Sequence, residues 1–251
     1  MKDLSSKKII SESAAISSSP RQMQSSAKAK KTFAWLWIGQ LISNLGTQTS
    51  LYGIGLWLFS KTQHLSDFAL VALVVQLARI LVLPLLANRL DKWPRRKVML
   101  IANGLGAICT FALAFLLFRP NGMPLLSSLL FFQGLAAMAE ATLILSFSSL
   151  IPILIVDKNE LIRANGIFAS SDSLVLTMAP FFGSWLSGLL GLRGVLALDG
   201  CSFFLALFCV LAAPWSSKFV WPSEGVQRWE GFGFIQGWDQ LKYLWIKLPL
   251  S

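Results

Sequence analysis

Charge is scarce in this sequence. Only 14% of its 251 residues are charged, against about 25% in an average soluble protein. Acidic residues are the scarcer kind: 12 Asp and Glu stand against 22 Lys and Arg, a net charge of +10. There is one histidine, His64, in a short polar gap, and the 3 cysteines, Cys109, Cys201 and Cys209, all lie inside apolar runs. None of the cysteines has CxxC or other metal-ligand spacing, so they read as small buried hydrophobes and no metal site is expected. HExxH, a Gly-x-Ser-x-Gly elbow, a P-loop and a dinucleotide fingerprint are all missing. These absences argue against an enzyme and against any cofactor. Alternating segments of about 10 residues are missing too, which excludes a membrane β-barrel. The basic residues collect in gaps between apolar runs, and no zinc-finger, helix-turn-helix or base-stacking motif accompanies them. Nucleic acid is therefore not an expected partner.

What the chain has is hydrophobic length: 55% of residues are hydrophobic and mean hydropathy is +0.62. A hydrocarbon core of about 30 Å needs about 20 helical residues to cross it. Six apolar runs reach that scale, over about 32–59, 68–88, 98–118, 124–151, 164–192 and 194–213. The predicted fold class is all-α: a polytopic membrane protein whose residues 32–213 form a six-transmembrane-helix bundle in the lipid bilayer. The fifth and sixth runs are parted only by Gly191, Leu192, Arg193 and Gly194, which predicts a helical hairpin. Residues 1–31 are rich in Ser, Lys and Ala and contain no apolar core of signal-peptide type. They are expected to be a disordered basic tail.

Lys and Arg are distributed unevenly between the two sides. The tail, residues 89–97, residues 156–163 and the stretch after Pro214 hold nearly all of them, whereas the opposite loops carry Lys61, Arg119 and Arg193. Basic loops stay in the cytoplasm, so both termini are expected there, with the protein in the plasma (inner) membrane. Residues 214–251 read as a cytoplasmic linker followed by an amphipathic interfacial helix. In that helix Phe234, Ile235, Trp238, Leu241, Leu244 and Trp245 form the apolar face.

Four stretches resemble members of the major facilitator superfamily, most closely the bacterial drug and siderophore exporter branch. Gly39-Gln40-Leu41-Ile42-Ser43-Asn44-Leu45-Gly46 is similar to that branch's first-helix signature. Ala87-Asn88-Arg89-Leu90-Asp91-Lys92-Trp93-Pro94-Arg95-Arg96-Lys97 resembles the superfamily's loop motif between helices two and three. Glu160-Leu161-Ile162-Arg163-Ala164-Asn165-Gly166 resembles the start of helix five, and Gly237-Trp238 with Tyr243-Leu244 the central cytoplasmic helix. The resemblance implies the N-terminal half of a twelve-helix fold that moves substrate by alternating access between its halves. It also implies two partners: a small-molecule substrate, and a second six-helix half supplied by a separate chain or by self-association. The sequence departs from the pattern at Ala87, where the motif has Gly, and at Lys92, where it has Arg and its planar fork. Asn103 and Gly106 stand where the branch often has Asp and Arg, and no fourth-helix Arg occurs near Gln133 and Gly134. Proton antiport by that particular route is not expected.

Asp91, Lys92, Arg95 and Arg96 are the candidate gate, because such a loop can exchange ion-pair partners between two conformations. Their other reading is simply to fix topology. Four further residues are candidates for a substrate or proton path: Gln40, Asn44, Arg79 and Glu140. An ionised group at membrane depth is costly unless paired or hydrated, so Arg79 and Glu140 should face the bundle interior or water. Gln40 and Asn44 lie four apart and share a helix face; they would line a cavity or bond between helices. Asp172 and Asp199 are expected to be structural, as partners of Arg79 or caps of a local turn. The functional expectation is a secondary transporter half that exports amphipathic small molecules. Its alternative is a truncated, non-transporting membrane protein or a fragment of a broken reading frame.

Overall fold

The computed structural model describes residues 20–90, 93–117 and 126–215, and among these there is no strand. Five helical elements follow one another: α1 (Pro20–Thr62), α2 (Leu65–Leu90), α3 (Arg95–Leu116), α4 (Leu126–Leu154) and α5 (Lys158–Ala212). The sequence predicts six helices, and the difference lies at Gly191. The helix breaks there at one residue, with φ 65° and ψ 173°, a conformation essentially restricted to glycine. α5 thus has two arms, residues 158–190 and 192–212, joined by a single-residue corner rather than by a loop over 191–194. Trp37 and Tyr52 of α1 meet Ser171 and Gly183 of the first arm, so that arm runs parallel to α1. Gly39 and Gly53 meet Cys209 and Val195 of the second arm, which therefore runs back the other way.

A second difference is the start of α1. It begins at Pro20, inside the stretch expected to be a disordered tail. Proline suits the first turn, where its missing N–H has no partner to lose. Gln22, Met23, Gln24, Ala27, Lys28 and Ala29 are good helix formers. A reading guided by hydropathy misses such a segment because it is polar. Residues 1–19, Asp91, Lys92 and everything from 216 onward, including the expected amphipathic helix, lie outside the described residues.

α2, α3, α4 and α5 are each long and apolar enough to cross a membrane. α3 is apolar outside and polar within. Ile101, Ile108 and Phe115 are 67%, 67% and 69% exposed, while Asn103 and Thr110 are buried. That inversion suits a lipid solvent. α1 falls short of the apolar criterion because it carries a polar series, Gln40, Ser43, Asn44, Thr47, Gln48, Thr49 and Ser50, all buried by its neighbours. α1 packs chiefly on α5, α3 packs on both α4 and α5, and α2 packs on α4.

Lipid is as apolar as leucine, so close fit has to hold such helices together. Gly39, Gly46 and Gly53 recur every seventh residue on α1 and face Cys209, Ser202 and Val195, which recur every seventh residue on the second arm. A Cβ on Gly46 would stand 2.5 Å from the Ser202 hydroxyl and 2.9 Å from an Asp199 carboxylate oxygen. Only glycine admits the arm this closely. A repeat of seven keeps the two helices in register along their length. At the end near Gly191, Ile54, Leu58, Val71, Leu113, Leu129, Leu192 and Leu196 form an apolar plug. At the other end the ties are polar: Thr32 Oγ1 donates to the Pro214 carbonyl at 3.0 Å, and Lys30 pairs with Glu160 at 2.6 Å.

Candidate functional site

The i, i+4, i+8 series Gln40, Asn44, Gln48 puts three amides on one face of α1. This face looks toward α4 and the first arm of α5, where it joins a chain of polar groups. Asn44 Nδ2 donates to Asp172 Oδ1 at 2.9 Å. Gln48 Nε2 donates to Asn44 Oδ1 at 3.5 Å and to Glu140 Oε1 at 3.3 Å. Arg79 Nη2 of α2 meets Glu140 Oε2 at 2.6 Å, and Arg79 Nη1 donates to Gln76 Oε1 at 3.3 Å. The chain spans α2, α4, α1 and the first arm, and both its ends are ionic. Glu140 is fully enclosed, whereas a fifth of the Arg79 side chain remains accessible.

Of the two structural roles expected for Asp172 and Asp199, pairing with Arg79 is not the one observed: Arg79 meets Glu140, Asp172 takes a bond from Asn44, and Asp199 lies elsewhere. A buried ion pair persists because removing either member strands the other charge. Gln48, which is not among the residues singled out from the sequence, completes the chain and continues the four-residue spacing of Gln40 and Asn44.

Beside the chain a cleft opens between α1 and the first arm, lined by Trp37, Gln40, Asn44, Phe168, Ser171 and Asp172. Trp37 and Phe168 supply apolar walls, and Trp37 Nε1 donates to Ser171 Oγ at 3.0 Å. Gln40 is 5% exposed, and its Nε2 has no hydrogen-bond partner. A buried amide with an unused donor is a standing cost that a ligand acceptor would remove. Phe168 also meets Phe147, which stacks on Phe33, with ring centroids 5.2 Å and 5.7 Å apart. In this conformation the cleft has room for about one water molecule, and it presents one amide donor and one carboxylate between two aromatic walls.

The loop motif is described only from Trp93 onward. Arg95 is buried at the first turn of α3, and Arg96 lies outward, its guanidinium 5.7 Å from the Trp215 ring and 3.5 Å from the Leu211 carbonyl. These contacts fasten the start of α3 to the end of the second arm. Asp91 and Lys92 fall outside the described residues, so two of the four gate candidates have no described position. Asn103 Nδ2 donates to its own helix at the Met99 carbonyl, 2.8 Å away, and Gly106 accommodates the Phe203 ring. The middle of α3 therefore serves packing and carries no charge. No group of three or more His, Cys, Asp or Glu suited to a metal ion occurs among the described residues.

The Major Facilitator Superfamily model matches residues 35–244. No curated protein and no solved structure matches the chain. The family match extends over the whole bundle, from the first turns of the polar face of α1 to beyond the second arm of α5. The chain is a multi-pass helical membrane protein and belongs to the Major Facilitator Superfamily, a superfamily of membrane transporters.

Proposed function

We propose that this chain forms the N-terminal half of a secondary active transporter that exports amphipathic small molecules. The observation that carries this reading is the polar chain through the bundle, Arg79–Glu140–Gln48–Asn44–Asp172, with the unpartnered Gln40 amide opening into the cleft beside it. Buried ionisable groups are expensive in lipid and mark substrate or ion paths. The Trp37 and Phe168 walls suit the apolar part of a substrate, and Asp172 and Gln40 suit its polar part. The break at Gly191 favours six membrane crossings, because the reversal of the second arm returns the chain to the side from which α5 starts. The excess of Lys and Arg at the end bearing Arg95, Arg96, Lys97 and Lys158 favours a cytoplasmic location for that end, in the plasma membrane.

A second six-helix half, from further residues or another chain, would complete the cavity, and the loop carrying Asp91, Lys92, Arg95 and Arg96 would gate between the two. The test is reconstitution of the purified chain in liposomes, alone and with a candidate C-terminal half, assayed for efflux of a fluorescent amphipathic dye. Efflux in either preparation that is lost in the stable double variant Arg79→Met/Glu140→Gln supports the reading. An absence of dye movement in both preparations rejects it.

A further inference from the structure

Asp199 is the second fully buried carboxylate, 3% exposed, on the second arm where it passes Gly46. Its setting differs from that of Glu140. No salt bridge joins it to a Lys or Arg among the described residues. Around it stand hydroxyls. Thr47 Oγ1 donates to Asp199 Oδ1 at 3.2 Å. Ser202 Oγ donates to the Asp199 backbone carbonyl at 2.7 Å and lies against Gly46. The Ser50 hydroxyl is 0% exposed and close enough to interact with the carboxylate, yet it makes no well-formed hydrogen bond to any group.

The neighbouring elements bring no neutralising charge. α1 presents glycine and hydroxyls along this seam. α4 presents Glu140, a second carboxylate already paired with a cation. α2 contributes Arg79, which is held by Glu140. The nearest α3 contact, Phe111 against Gly200, is apolar, and between 98 and 117 α3 has no Asp, Glu, Lys or Arg. On the first arm, Asp172 is exposed and bonded to Asn44.

A lone carboxylate at membrane depth is not left charged and unmatched. One negative charge calls for one positive charge, and an all-oxygen set of carboxylate and hydroxyls suits a small hard cation. A divalent ion would leave the seam with excess charge. We propose that Asp199, with the hydroxyls of Thr47, Ser50 and Ser202, forms a buried site for a monovalent cation, a proton or Na+, in the glycine-lined seam between α1 and the second arm of α5.

This inference stands apart from the transport reading, because its test needs neither substrate nor second half. The full chain is placed in lipid nanodiscs, and Tm is measured in sodium chloride and in choline chloride at equal ionic strength. Infrared difference spectra in choline, taken across pH, report a protonated carboxyl. A sodium site raises Tm saturably with Na+. A proton site gives no sodium effect and a carboxylic C=O band that disappears as pH rises. Whichever signal the wild type gives must vanish in Asp199→Asn and persist in the double variant Arg79→Met/Glu140→Gln.

Two milder variants keep the carboxylate, in case Asp199→Asn does not fold. Ser50→Ala weakens the sodium effect about tenfold, and Thr47→Val shifts the position and midpoint of the carboxyl band. The site is refuted by a wild type that shows neither signal. It is equally refuted by a signal undiminished in Asp199→Asn, or by a sodium effect unmoved in Ser50→Ala or a carboxyl band unmoved in Thr47→Val.

Discussion

Toward the second arm of α5, α1 offers glycine at every seventh position, and at Gly39 and Gly46 the arm lies so near that a single added methyl group would collide with it. Between Gln40 and Gln48 the same helix also offers amides, which meet Asp172 of the first arm and Glu140 of α4 through hydrogen bonds, although farther along, at Gly183, the first arm packs on it as closely as the second does. The first seam has one good arrangement, because close-packed surfaces do not deform continuously. The second contains partners that can be exchanged, since an amide donates and accepts and a carboxylate accepts from several directions. The glycine seam is therefore the rigid side of α1 and the amide seam the adaptable one.

The sharpest way to break this contrast is Arg79→Ala. It leaves Glu140 buried without its cation, at an expected cost of about 3–5 kcal/mol. Thermal unfolding in nanodiscs should show a large fall in Tm, and the double variant Arg79→Met/Glu140→Gln should recover most of it. On the rigid side, Gly46→Leu drives a branched side chain into Ser202 and Asp199. Overpacking of this kind costs about 1–3 kcal/mol. Size-exclusion profiles in detergent should show loss of the monodisperse species, and no second substitution on the amide seam should restore it.

Gln48→Leu removes the link between Glu140 and Asn44 with little change of volume. The expected loss is about 0.6 kcal/mol, the usual size of a hydrogen bond between membrane helices, and an urea or SDS titration should resolve it. A control separates seam glycines from the rest. Gly104 has nothing within 4 Å of where its Cβ would stand, so Gly104→Ala should stabilise α3 by about 0.5–1 kcal/mol. The smallest effect belongs to Lys30→Ala. Its pair with Glu160 is 54% and 40% exposed, and an exposed pair of this kind contributes about 0.5 kcal/mol or less after screening. That change should lie near the limit of a denaturation measurement.

How much of this was legible in the sequence depended on which force placed each residue. Long apolar runs announced α2, α3, α4 and both arms of α5, because burial in lipid demands sustained hydropathy. The polar N-terminal turns of α1 left no such signal, since helix propensity there comes from Gln, Lys and Ala. Arg79 and Glu140 were recognisable as costly residues needing company. Their pairing was not recognisable, because they lie 61 residues apart and only the packing of α2 on α4 brings them together. Gln48 was discoverable by extending the spacing of Gln40 and Asn44. The Asp199 hydroxyl ring was not, because Thr47 and Ser50 come from one helix and Ser202 from another, and nothing local announces that these will face each other. The glycine repeat was visible at 39, 46 and 53, but it gains meaning only beside 209, 202 and 195.

The corner at Gly191 fixes the phase of everything after it. With a single residue making the reversal, no slack exists to absorb an error in the count. Each added residue would turn the returning arm by about 100°. One insertion just after the corner would swing Val195, Ser202 and Cys209 off the three glycines together and aim Asp199 at lipid. The rotational setting of an entire helix thus hangs on one backbone angle that a side chain of any kind would oppose.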